Sequence, residues 1–458
     1  VHAELKSNQK LGLFALIMLA VISVDSLRNL PIAAQYGYAL ITFYGIAAAL
    51  FFFPLAYITS RLVMLYPQTG GSYLWVTAAF GPASGTLALW LQWIYNMIWY
   101  PTIFVFIATI LAAIIAPNLA QNTTFILAFS LGFFWIITWL HTHGIRFTRI
   151  ISVPAAILGT LLPMGVMIVL AGWWLLSGNA SATPFSWGAL VPGTREMGNL
   201  GFFSNILFSL LGLEVIAMHG GNVENPQKSY PRALIIAAII ILSSIILSSL
   251  ALCIILPVEN ITLISGLIDV LNAFFAAYNI TNIGKVLSFC VILGCIGIAS
   301  SWMVGLARGL HVAITAVDGP KPLQKLNKNH MPSSILYLQA VLYSVILGVF
   351  LLFPDMNNSY WILSAITAQF ALLYYVLMFV SAMKLLRGQA KSRLGNVLNL
   401  FVPLLAISVC IFGIFTGFLP PEFLEAKSVL RFEVIMISGF VGIGILPIVL
   451  MKFLKRTK

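Results

Sequence analysis

The sequence predicts an all-α integral membrane protein of twelve transmembrane helices, and three observations carry that prediction. The 458 residues are 60% hydrophobic and 8% charged, with mean hydropathy +1.01, whereas a soluble domain carries about 25% charged residues. Twelve apolar stretches, at roughly 11–35, 39–65, 84–116, 123–143, 150–177, 199–221, 231–256, 283–316, 333–353, 359–386, 397–419 and 430–453, approach or exceed the ~20 residues that cross a bilayer as a helix. With the N-terminus placed inside, all of the 24 Lys and Arg except Arg28, Arg195, Lys285, Lys427 and Arg431 fall on the inner side, which is the positive-inside bias. The net charge of +12 is therefore an orientation signal and not a nucleic-acid footprint. The alternating ten-residue segments of a β-barrel are absent. Both termini are expected in the cytoplasm and the chain in the cell inner (plasma) membrane, with lipid around it and no nucleic-acid partner. The oligomeric state is open.

The first stretch is the anomaly that organises the rest. Its middle reads Ser23-Val24-Asp25-Ser26, then Arg28-Asn29 and Pro31. A charge at bilayer depth costs at least ~2.5 kcal/mol, so this helix is expected to break and to use its freed backbone groups. The first stretch is also too long for a signal peptide and lacks a small-residue cleavage site, so no cleaved leader is expected. After the second stretch comes Pro67-x-x-Gly70-Gly71, a turn signal, and a short run from Ser72 to Phe80 suited to lying along the cytoplasmic surface. In the third stretch Gln92 and Asn96 share a helical face, either as an interhelical hydrogen-bond pair or lining a polar pathway. His141 and His143 read as interfacial. The fifth stretch carries Pro154, Gly159 and Pro163 and no ionisable residue.

A second anomaly lies in the sixth stretch, Phe208-Ser209-Leu-Leu211-Gly212-Leu-Glu214, where a glycine precedes a membrane-depth carboxylate. Interrupted helices at corresponding positions of two halves are the best sequence pointer to a transporter binding site. Here each falls in the first helix of a five-helix half. Five is odd, so the second half must be inverted: residues 1–177 form the first repeat, 178–198 an extracellular loop, 199–393 the second repeat, and 394–458 helices 11 and 12 with a short tail. The loop 257–281 is expected to hold a short amphipathic lid helix. The eighth stretch contains Ser300-Ser301, and the tenth Thr367, Gln369, Tyr374 and Tyr375. Cys253, Cys290, Cys295 and Cys410 sit in apolar segments as small hydrophobes, with no metal or disulfide spacing.

Three stretches together resemble the amino acid–polyamine–organocation superfamily. They are Pro67-x-x-Gly70-Gly71-x-Tyr73 leading to Ala79-Phe80-Gly81-Pro82, then Phe208 to Glu214 with Asn225-Pro226 and Pro231-Arg232, and Arg308 with Asp318-Gly319. Ser26-Leu-Arg28-x-Leu30-Pro31 is most similar to the branch of glutamate:γ-aminobutyrate antiporters. The resemblance implies the leucine-transporter-like 5+5 inverted repeat plus two extra helices; the scattered His and acidic residues offer no catalytic constellation, so neither enzymatic activity nor a cofactor is expected. The resemblance implies secondary active transport of amino acids by alternating access, as an antiporter or a proton-coupled permease. A sodium-coupled symporter, or a transport-like nutrient sensor, is the alternative. The chain departs from the family in reading Val24-Asp25-Ser26 where relatives have Gly-Ser-Gly. Arg61 replaces the common helix 2 Glu, and the helix 5 lysine of some proton-coupled members has no counterpart. The tail after Phe453 is too short for a long C-terminal plug, so gating by one is not expected.

Chemistry and resemblance together assign the site. The backbone of Ser23, Val24, Asp25 and Ser26, with the Ser26 hydroxyl, would take a substrate carboxylate, and carbonyls from Ser209 through Leu211 to Gly212 the amine. Phe208 would form an aromatic lid. Asp25 would either pair with Arg28 or bind the substrate ammonium or a proton. Glu214 is the leading proton or coupling candidate. Arg28, Gln92 and Asn96 are candidate polar pathway residues, and Arg28 could bind an acidic side chain. Ser300 and Ser301 offer hydroxyls to a possible sodium ion. No other metal site is expected.

Overall fold

The computed structural model describes residues 12–66, 71–144, 155, 157–223, 226–278, 281–316, 319–353, 355–390, 392–422 and 429–442. At residues 117, 218–222, 226, 281 and 282 it describes the backbone alone. Pro67–Gly70, Pro154, Asn225, Asp318 and the tail, and the side chain of His219, lie outside what is described. Among the described residues the elements are helical throughout, with no β-strand. Ten spans long and apolar enough to cross a membrane coincide with ten of the twelve expected stretches. The expected sixth is a broken helix, and the expected twelfth is helical over residues 429–442.

In chain order, α1 (Leu13–Val24) and α2 (Leu30–Ala34) are the halves of the first span. The second span runs from α3 (Leu40–Ala47) through a π-turn, Ala48–Phe52, into α4 (Phe53–Leu65). Pro54 stands two residues past the end of the π-turn, as Pro163 does past a second one at Ile157–Leu161. A proline has no N–H to donate and its ring crowds the carbonyl four residues back. One wider turn ahead of it relieves both problems without ending the helix.

Then come α5 (Gly71–Phe80), α6 (Pro82–Ile115), α7 (Thr123–Thr142) and α8 (Leu162–Leu176). After α9 (Thr194–Gly198) the sixth span begins as α10 (Phe202–Ser209) and resumes as a 3₁₀ segment, Leu213–Asn222. The rest are α11 (Pro226–Ile255), α12 (Gly266–Ala277), α13 (Thr281–Ala316), α14 (Ser333–Leu347), α15 (Met356–Leu386) and α16 (Arg393–Thr416).

The bundle has a centre and a periphery. α6 and α15 are buried over 78% and 83% of their apolar windows, against 28% for α7 and 33% for α16. The central helices are polar enough to need protein around them: α6 carries Gln92, Asn96 and Thr102, and α15 carries Ser364, Gln369, Tyr374 and Tyr375. The peripheral helices turn Trp135, Ile136, Trp139, Phe401 and Phe415 outward, as a lipid-facing surface would. At the crossing of the fifth and eighth spans a Cβ on Gly159 would collide with the backbone of Gly294, so the two chains touch through glycine, a packing that only small residues permit.

The run after Gly71 is helical, but α5 does not lie free on a surface. Gly71, Ser72, Trp75, Val76 and Ala79 are buried, and Tyr374 donates to Ser72 Oγ at 2.5 Å. Small residues and one tryptophan on a shared face let it dock into the bundle. The loop 257–281 does contain a short helix, α12, with Leu267, Leu271 and Phe274 buried. It is fastened to the first span: Gln35 Nε2 donates to Ile261 O at 2.5 Å, and the Cβ position of Gly266 faces Pro31 at 3.6 Å. All four cysteines are free thiols.

Candidate functional site

Both predicted breaks are present. α1 ends at Val24, and Asp25 (φ −63°, ψ 126°) and Ser26 (φ −145°, ψ 119°) are extended. A 3₁₀ turn, Leu27–Asn29, then leads into α2. Pro31 stands in the first turn of α2, where a missing N–H does no harm and a fixed φ helps. A helix end leaves its last carbonyls without intrahelical partners, and a helix start its first N–H groups. The break therefore presents both kinds of group within a few residues.

In the sixth span α10 stops at Ser209 and Gly212 takes φ +113°. A Cβ there would lie 2.5 Å from the Ser23 carbonyl oxygen. Glycine is thus needed twice, for the positive φ and for the close approach, and the backbones of the two breaks touch.

A cavity of about 50 Å³ opens between them. Ser23, Val24, Asp25 and Ser26 line it from the first break, and Phe208, Leu211 and Gly212 from the second. α6 adds Tyr95, Asn96 and Trp99, and α13 adds Ile298 and Trp302. Phe208 and Tyr95 meet edge to face, with ring centroids 6.4 Å apart. A void of this size holds a few water molecules; a larger solute requires the walls to part.

Several predicted residues stand elsewhere. The Ser209 hydroxyl faces Tyr44 Oη of α3 at 3.0 Å and donates to Ile206 O at 2.7 Å, so this residue has only its backbone to offer. Gln92 is buried one turn from the lining, its side chain beside Tyr95. Asn96 donates to the Gln92 carbonyl at 2.9 Å, so the two side chains form no interhelical pair. Ser301 donates to Gly297 O at 2.9 Å, and Ser300 is buried with its hydroxyl unpartnered. Neither serine lines the cavity, because Ile298 and Trp302, four residues apart, set the inward face of α13.

The Asp25–Arg28 ion pair is not formed. Arg28, fully buried, donates instead to Thr102 Oγ1 of α6 (2.9 Å), to Tyr360 Oη (3.2 Å) and Ser364 Oγ (3.3 Å) of α15, and to Asn29 Oδ1 (3.0 Å). Its guanidinium carbon lies 5.9 Å from the Trp99 ring and 6.0 Å from that of Phe208, behind the cavity wall. Charge-assisted hydrogen bonds and aromatic faces offset part of its desolvation. Three-residue spacing brings side chains together only on a continuous helix, and the break lies between these two. Asp25 turns the other way: its Oδ2 accepts from Ser244 Oγ of α11 at 2.9 Å, and its buried Oδ1 has no partner.

Glu214 is buried just beyond the second break. Tyr375 of α15 donates to its Oε2 at 2.5 Å and accepts from the Gly212 N–H at 3.0 Å. One hydroxyl thus clamps both the turn and the carboxyl to the central helix. Sequence reasoning noted Tyr375 without a role and passed over Trp302, Tyr44 and Ser244. A Trp one residue past Ser300-Ser301 was a usable signal for a wall of the site, whereas a serine within an apolar helix is not. No cluster of three or more His, Cys, Asp or Glu that could hold a metal ion occurs among the described residues.

Comparison with known proteins gives a consistent picture. The family model described as "Amino acid permease" matches residues 11–440. An uncharacterised transporter of Legionella pneumophila is 39% identical over 451 residues, covering 96% of each chain. A glutamate/gamma-aminobutyrate antiporter of Lactococcus lactis is 25% identical over 457 residues, covering 97% of this chain and 90% of the relative. A probable agmatine/putrescine antiporter of the same species is 24% identical over 420 residues, covering 90% and 88%.

Proposed function

The chain belongs to the amino acid permease family of the amino acid–polyamine–organocation superfamily, and on that premise we propose that it carries amino acids across the cell membrane by exchange, holding them between its two broken helices. The observation that supports this most directly is the contact of Gly212 with the Ser23 carbonyl at the edge of a cavity where Asp25, Ser26 and Asn96 stand among aromatic and aliphatic side chains. Two helix breaks meet at one place, which simple packing does not require.

An α-amino acid presents a carboxylate and an ammonium a few ångströms apart. The N–H groups at the start of the Leu27–Asn29 turn, with the Ser26 hydroxyl, take the carboxylate at a positive helix end. The carbonyls at the ends of α1 and α10 take the ammonium, together with the free Oδ1 of Asp25. Phe208, Tyr95 and Trp302 close over the substrate. Glu214, fastened with Gly212 to Tyr375, couples the state of the second break to the central helix α15. The two breaks divide the chain as an inverted 5+5 repeat would, with the bundle inserted so that its basic loops face the cytoplasm.

Counterflow in proteoliposomes tests the proposal. Vesicles loaded with one unlabelled amino acid should draw in the same amino acid labelled, for at least one member of a panel of acidic, neutral and basic amino acids. Uptake of none of them would refute it.

A further inference from the structure

The surroundings of Asp25 carry a consequence beyond substrate binding. Asp25 is 1% exposed and lines the cavity. Among the described residues no cation stands within ion-pair distance of it, Arg28 being held by neutral groups on α6 and α15. An ionised carboxylate buried without a counter-charge is costly by several kcal/mol. A bound proton removes that cost, and so does a bound ammonium.

Ser244 is arranged for either. Its Oγ lies 2.9 Å from Asp25 Oδ2 and also 2.9 Å from the carbonyl of Ile241 in its own helix. A serine hydroxyl has one proton and two lone pairs, so it cannot donate to both acceptors at once. With Asp25 ionised, Ser244 donates to Oδ2. With Asp25 protonated, the carboxyl donates to Ser244, and the serine proton turns to Ile241 O. Rotation of one hydroxyl keeps Oδ2 hydrogen-bonded in both states, while Oδ1, buried and without a protein partner, is left for a ligand.

We propose that a proton and the ammonium group of the substrate compete for Asp25, with Ser244 as the positioning residue that serves both states, so that the protein can exchange an amine-bearing solute for a proton. This rests on the amino acid reading above. When the ammonium docks against Oδ1, the Asp25 proton leaves to water on the side to which the cavity is open. On the other side a proton replaces the departing ammonium, so each cycle moves one substrate one way and one proton the other.

Three of the titratable groups on the surrounding elements are engaged elsewhere. Glu214 is held by Tyr375, Tyr44 faces Ser209, and Tyr230 of α11 donates to Ile216 O. Tyr95 shares the cavity wall. Lys228 and Arg232 begin α11, 16 and 12 residues before Ser244, roughly 24 and 18 Å away along the helix. The side chain of His219 lies outside the described residues.

Two measurements on the purified, reconstituted full chain test this. Infrared difference spectra of wild type minus Asp25→Asn, without substrate, should contain a protonated carboxyl band that a transported amino acid from the panel abolishes. Affinity for that amino acid should fall about tenfold per pH unit of acidification wherever the empty site is protonated. Ser244→Ala should displace the pH profile and Ser244→Thr should restore it. If Asp25→Asn fails to fold, the Ser244 pair and the wild-type pH profile still decide. No protonated band between pH 5 and 8, or a band unchanged by an amino acid that the protein does transport, overturns the inference and leaves the amino acid reading standing. Transport of no amino acid in the panel overturns both.

Discussion

Replacing Gly212 by alanine tests the meeting of the two breaks. The substitution adds two separable costs. A residue with a Cβ held at φ +113° is strained by about 1–3 kcal/mol. The new Cβ also stands 2.5 Å from the Ser23 oxygen and 3.2 Å from its carbonyl carbon, where a comfortable contact is about 3.5 Å. Relief requires the breaks to part by nearly an ångström, at a further ~1–3 kcal/mol of overpacking. The sum is at least about 2 kcal/mol, which corresponds to about thirtyfold in an equilibrium constant. Gly81→Ala separates the terms: it has φ +88° and no atom within 4 Å of the added Cβ, so it carries the strain without the collision. The assay is equilibrium binding of a transported amino acid by scintillation proximity, alongside the thermal unfolding midpoint of each variant. Both alanines should lower the midpoint, and Gly212→Ala alone should weaken binding, by tenfold or more. Wild-type affinity in Gly212→Ala would show that the contact of the breaks does not shape the site.

Three further outcomes are expected. Tyr375→Phe removes a donor to Glu214 and an acceptor for the Gly212 N–H; each buried group left unsatisfied costs about 1–3 kcal/mol, so initial exchange rates should fall at least tenfold while the protein still purifies as a monodisperse species. Gly159→Ala places a Cβ against the backbone of Gly294, where neither chain can yield, and should lower the unfolding midpoint far more than Gly165→Ala, whose Cβ meets nothing. Neighbouring apolar residues partly desolvate the carboxyl of Asp269, an exposed residue of α12, and raise it above its usual 3.8, against a lowering hydrogen bond from Ser265. The folded protein therefore holds this proton more tightly than the unfolded chain. Its contribution to stability is fully present below the usual value and is lost as pH rises through the folded one. Asp269→Asn should remove that slope from the midpoint measured against pH.

The sequence was most informative where membrane physics leaves few choices. Apolar length marked the spans, and a proline or glycine beside a charge marked both breaks, because a charge and an interrupted backbone at bilayer depth must both be satisfied inside the protein. It was least informative about partners. One of the two readings of Asp25 paired it with Arg28 by spacing, yet the break that made them conspicuous also abolished the helical geometry that would have joined them. Ser209 was sound as a backbone position and uninformative as a side chain, since its hydroxyl answers to Tyr44 on another helix. Tyr375 and Ser244 acquire roles only from the register between helices, which no local pattern encodes. Trp302 was closer to legible: a large aromatic within a long apolar span, on the face opposite the paired serines that drew attention.

The divergence of Asp25 and Arg28 has a mechanical consequence. Three residues apart, one is tied to α11 and the other to α6 and α15. The two extended residues, Asp25 and Ser26, therefore bridge separately anchored parts of the bundle. Any displacement of α11 against the central pair must be taken up as torsion in those few backbone bonds, since the helices on either side are stiff. The segment that cradles the solute is then also the strap that registers how far the bundle has swung. A load on the strap and a load in the cradle are felt by the same peptide groups.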